Sequence, residues 1–120
     1  MPFTVEKEKR EHSILYKIAG ENSLQNFIEL ADEIYSDSIE LHVSNFILDC
    51  RGIRGALEIG DMFKLGNYFT QKLKFCKLAG INTPADWHNN KFSENVVRNR
   101  GGKLEHFQTL EDAERWLSKI

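Results

Sequence analysis

The stretch Asn45-Phe46-Ile47-Leu48-Asp49-Cys50-Arg51-Gly52-Ile53-Arg54-Gly55 constrains the fold of this chain more than any other. Its apolar residues do not alternate with polar ones, which is the pattern of a strand covered on both faces. Such a strand needs helices on either side, so an α/β architecture is predicted with residues 46–50 in the interior of the sheet. The run ends on a carboxylate and passes into a basic, glycine-punctuated segment that reads as a loop. In open α/β sheets, ligands and partners dock in the crevice beyond the carboxyl ends of the strands. The segment is also defined by what it lacks. From Asp49 to Met62 there is no Ser or Thr, no glycine spacing of the P-loop kind and no metal-ligand spacing.

The flanking segments supply the rest of a sheet. Residues 3–5 and 14–19 read as strands of a hairpin joined by a charged link over 6–12. Asn22 with Gln25 resembles a helix N-cap pair. Apolar residues at 24, 27, 28, 30, 31, 34 and 35 then keep a helical rhythm to about Asp37. A second helix is predicted over 56–69, with Ile59, Met62, Phe63, Leu65, Gly66 and Phe69 on one stripe and Leu57 and Tyr68 off it. Residues 75–81 form the next strand and 82–90 a loop by composition. A helix over 92–99, stopped by Gly101-Gly102, leads to a last strand over 103–107. Thr109 then caps a helix with Asp112 at its third position, burying Ala113, Trp116 and Leu117.

A chain of 120 residues with this pattern makes one domain, 1–120, large enough for a core without disulfide or metal staples. Cys50 and Cys76 lie inside apolar runs, so both are expected as free thiols of a reduced, cytoplasmic protein. The first residues show no basic leader followed by an apolar stretch, and no apolar run approaches the roughly 18 residues of a membrane span. The net charge of −2 argues against non-specific nucleic-acid binding. The charge is uneven, however. Residues 1–44 carry 4 Lys/Arg against 9 Asp/Glu, whereas residues 45–104 carry 10 against 5.

The element order is β-β-α-β-α-β-α-β-α. With the strand ending Ile47-Leu48-Asp49, the strand Lys77-Leu78-Ala79-Gly80 and above all the closing Phe107-Gln108-Thr109-Leu110-Glu111-Asp112-Ala113-Glu114-Arg115-Trp116-Leu117, it resembles the SpoIIAA-like proteins. These belong to the wider STAS and CRAL-TRIO-like group of small α/β domains. The resemblance implies a four- to five-stranded mixed sheet covered by about four helices. It also implies regulation through partner binding, which anti-sigma-factor antagonists of this group switch by phosphorylating a serine at the head of the helix after the central strand. Here the matching residues 51–57 contain no hydroxyl, which removes that switch.

Three sets of residues could carry chemistry. Asp49, Cys50 and His88 would offer an acid, a thiol and a base if they converged, although a cysteine ending an apolar strand is ordinarily core filler. His12, His42, His88 and His106 lie too far apart to supply two metal ligands from one element, and His106 reads as a partly buried, hydrogen-bonded side chain. Arg51 and Arg54 could meet Trp87, His88 and Lys91 at one rim, with Arg98 approaching from the next helix. Guanidinium groups bind phosphates and carboxylates bidentately. Glu58 and Asp61 would compete for the same donors.

The sequence therefore predicts a non-catalytic module that binds a protein partner. Its candidate surface is the second helix and the segment before it: Arg51, Arg54, Leu57 and Tyr68, with Trp87, His88, Lys91 and Arg98 at the neighbouring rim. Leu57 and Tyr68 are read as spare apolar residues. The alternative is a small anionic or lipid-like ligand at the carboxyl ends of the strands, and an enzyme using Cys50 comes third. No cofactor, metal or nucleic acid is expected, and a homodimer is open.

Overall fold

The computed structural model describes residues 1–83 and 102–119. Its frame is a five-stranded sheet in the order β1-β2-β3-β4-β5, formed by β1 (Thr4–Lys9), β2 (Ile14–Glu21), β3 (Asn45–Arg54), β4 (Lys77–Ile81) and β5 (Lys103–Phe107). β1 runs antiparallel to β2, and the remaining neighbours pair in parallel. Three helices are described: α1 (Leu24–Leu41), α2 (Ile59–Lys72) and α3 (Leu110–Leu117). The helix predicted over 92–99 lies outside the described residues.

β3 sits in the middle, as its unbroken apolar run requires. Phe46 and Leu48 face α1 and α2, in a core with Ile14, Tyr16, Ile18, Leu30, Ile34, Phe69 and Leu78. Ile47 faces the other way, into a second cluster with Leu15, Ala79, Ile81, Ala113 and Leu117 beneath α3. Burying each such side chain stabilises the fold by roughly 1.5–3 kcal/mol. Alternation along β3 therefore serves two cores at once.

Several boundaries differ from the sequence reading, and in β1 and β3 pairing overrides local composition. The charged link over 6–12 is mostly strand: β1 continues to Lys9, and the Arg10 amide closes the turn on the Ser13 carbonyl at 2.8 Å. An edge strand tolerates charges on its open side, and Lys7 uses the other to reach Asp37 at 2.8 Å. Ser23 caps α1 in place of Asn22, its hydroxyl accepting from the Asn26 amide at 3.1 Å. Asn22 is instead drawn across to β3, donating from its backbone to the Arg54 carbonyl at 2.7 Å. α1 also runs on to Leu41 and ends where His42 takes the left-handed conformation (φ 54°).

A further difference decides where the candidate site lies. Residues 51–54, expected as a loop, continue β3, because β2 runs on to Glu21 and supplies a partner ladder. The register slips between Lys17 and Ala19, which is a bulge placing one extra β3 residue at Cys50–Arg51. The slip exchanges the faces beyond it, so Ile53 packs against the α1/α2 core and Arg54 remains exposed. Gly52 is tightly placed there, since a Cβ on it would lie 2.8 Å from the Ile18 carbonyl oxygen.

β5 and α3 follow the sequence reading closely. Thr109 caps α3 by accepting from the Asp112 amide at 3.2 Å, and Ala113 and Leu117 are buried, with Trp116 partly so. No described helix is long and apolar enough to cross a membrane.

Candidate functional site

At the carboxyl end of β3, Arg51 is held by its own strand. Its Nε and Nη2 donate to Asp49 Oδ1 and Oδ2 at 2.9 and 2.8 Å, a two-pronged pair between residues that share a face two positions apart. The guanidinium keeps the Asp49 carboxyl below the usual aspartate range, helped by the Arg51 backbone N–H and opposed by partial burial. The acceptor is thus Asp49, not the Glu58 and Asp61 of the sequence reading. Arg54 is exposed, three residues further along the strand edge and next to Gly55 (φ +90°).

α2 then starts at Ile59, three residues later than periodicity suggests, with Glu58 at the cap position and no side-chain cap bond. Its buried face is centred on Met62, Gly66, Phe69 and Thr70, with Leu73 following. Ile59 and Phe63, assigned to the buried stripe by spacing, stand out from it at 64% and 43% exposure. Met62, in the same turn as Ile59, is buried, so the exposure belongs to these two side chains and not to the whole turn.

Tyr68 takes the reverse part. It is half-buried against the α1/α2 core, and its hydroxyl donates to the Asp32 carboxylate of α1. That bond raises the phenol above its ordinary pKa. Tyr68 is therefore a strut between the helices and not a spare contact residue. Leu57 is half-buried as well. The exposed large apolar side chains of α2 are Ile59 and Phe63, one helical turn apart on the same side. Sequence reasoning missed this pair because stripe membership was taken from spacing alone. The signal available was the helix start, where Ile59 sits among Glu58, Gly60 and Asp61.

The candidate triad does not assemble in the described part. Asp49 shares the face of Ile47, whereas Cys50 packs against the opposite α1/α2 core, as neighbours on a strand must. The Cys50 thiol lies 3.5 Å from the Leu48 carbonyl oxygen. Cys50 and Cys76 are both free thiols. His106 is half-buried, its ring against Gly80, where a Cβ would come within 2.7 Å of it. Among the described residues no three His, Cys, Asp or Glu side chains gather to hold a metal. Trp87, His88, Lys91 and Arg98 lie outside the described residues.

No protein-family model and no curated protein sequence matches the chain. Solved structures do. An anti-sigma factor antagonist from Mycobacterium paratuberculosis superposes with a TM-score of 0.69 at 15% identity, over 98% of this chain and 95% of its own. An uncharacterized DUF3478-family protein with a SpoIIAA-like fold from Shewanella loihica PV-4 gives 0.60 at 17% identity, over 97% and 93%. The anti-sigma factor antagonist SpoIIAA in its unphosphorylated form gives 0.57 at 14% identity, over 98% and 99%. End to end, then, the chain has the SpoIIAA-like α/β fold.

Proposed function

We propose that this chain is a non-catalytic regulatory module of the STAS type that docks a protein partner on the head of α2. The observation that carries the reading is Ile59, 64% exposed at the head of α2, with Phe63 43% exposed one turn further on. Arg54 and Lys64 are exposed in the same stretch, as is Glu58, with Asp61 half-buried, so the apolar pair lies among charges of both signs. Aromatic residues, Phe among them, and arginine are enriched at protein interfaces. Two of the structurally similar proteins are anti-sigma factor antagonists, which supports a partner-binding role.

Docking here is independent of phosphorylation at the head of α2, because residues 51–62 contain no hydroxyl side chain. An anion at the strand ends would have to displace Asp49 from Arg51, so we place recognition on α2 and not in the crevice. Trp87, His88, Lys91 and Arg98 are proposed as the adjoining rim, and the cytoplasm as the compartment.

Co-purification from native cells tests the reading. The substitution Ile59→Asp should remove the recovered partner while changing stability by no more than about 0.5 kcal/mol, since this side chain is 64% exposed. Recovery of the same partner at the same yield would refute the docking surface.

A further inference from the structure

At the opposite end of the sheet, before β3 and β4 begin, the carboxyl ends of α1 and α2 enclose a cleft of about 310 Å³. Small-molecule pockets start at about this size. Its walls are Tyr35, Ile39, Val43 and Phe75, and its floor is the buried Cys76. Phe75 is 83% exposed at the mouth, the barest large ring among the described residues. The lining includes Lys72 and His42 and no acidic residue. The Lys72 Nζ lies 4.6 Å above the Tyr35 ring, so its charge is already turned to the apolar wall. Its ion pair with Asp32 is long, 3.7 Å, and open to solvent on both sides. Such a pair holds little and yields readily to a better-placed anion. Lys74, over the Phe75 ring at 5.2 Å, adds a second positive charge at the entrance.

We infer that this cleft binds a small amphipathic organic anion, its apolar body between Tyr35, Ile39 and Phe75 and its acidic group at Lys72. Part of the basic surplus of residues 45–104 is thereby placed: Lys72 and Lys74 belong to the end of the sheet opposite Arg51 and Arg54. The Ser38 hydroxyl is not available to the ligand, since it donates to the Tyr35 carbonyl at 2.7 Å. Orientation therefore falls to Lys72 and the exposed His42. The site is separate from the head of α2, and its occupancy does not depend on the partner proposed there.

The test uses two fluorescent probes of one skeleton, anilinonaphthalene sulfonate and the neutral phenylnaphthylamine, titrated into the full chain. The anion should bind about tenfold more tightly than the neutral probe, the worth of one directed charge contact. Lys72→Gln should erase that preference and leave the neutral probe unchanged, and Phe75→Ser should remove binding of both. Medium-chain carboxylates should displace the anionic probe, whereas the corresponding alcohols should not. The variant Ile59→Asp should bind both probes as the parent does, which separates this site from the docking surface. Equal affinity for the two probes, no fluorescence change, or enhancement that survives Lys72→Gln and Phe75→Ser would each overturn the inference.

Discussion

The two ends of α2 are built from similar residues and put to different uses. In its second half, Phe69 and Leu73 are buried in the main core, the Tyr68 hydroxyl is bonded to Asp32, and the Thr70 hydroxyl closes on the Gly66 carbonyl at 2.8 Å. In its first half, Ile59 and Phe63 are comparably apolar and are exposed at 64% and 43%. One helix therefore packs its apolar side chains at the tail and leaves two of them exposed towards the head. Hydrophobic residues are not all inside even on a packed helix, since folded proteins keep much of their surface apolar.

The contrast breaks most visibly at Phe69. Phe69→Ala should destabilise the chain by about 3–5 kcal/mol in denaturant unfolding, as a large cavity in a packed core does. A loss below about 1 kcal/mol would mean that the tail is not the anchor. Gly52→Ala should come next, at roughly 1–3 kcal/mol, because the bulge leaves no space beside the Ile18 carbonyl. Tyr16→Phe is expected to cost about 1.5–3 kcal/mol, since the fully buried phenol donates to the Asp37 carboxylate. Tyr68→Phe removes a similar but more exposed bond and should cost about 0.5–1 kcal/mol.

The smallest effect concerns the strand end. Asp49 has a folded-state pKa below its unfolded one, so the stabilisation from Arg51 is present above the unfolded value of about 3.9 and fades as pH falls through the lower folded value. Because Arg51 is exposed, the pair is worth about 0–1 kcal/mol. Arg51→Ala should therefore lower the melting temperature slightly at neutral pH, by an amount that shrinks as pH falls below the unfolded aspartate value. Arg54→Glu, by contrast, should leave melting unchanged and weaken partner binding.

How much of this was legible beforehand depends on where each signal resides. The Thr109 cap and the Ala113/Leu117 face of α3 are written within a few residues, and they stand as read. The central place of β3 is equally plain, because an apolar run without alternation has one physical solution. The extensions of β1 and β3 are not local, since each exists through its pairing with β2. The bulge at Cys50–Arg51, which turns Ile53 inward and leaves Arg54 outside, has only Gly52 as a trace in the sequence. At the candidate site, the existence of α2 after β3 was legible. The exposed pair was not, because spacing defines a stripe but not where along the helix the stripe loses its cover.

Hydrogen exchange of the free chain and of the chain bound to the recovered partner tests the central claim most directly. The account predicts new protection over residues 55–64, at the head of α2, with amides 67–73 already slow in the free chain and unchanged on binding. Protection appearing elsewhere, with the head of α2 exchanging as fast in the complex as in the free chain, would contradict it.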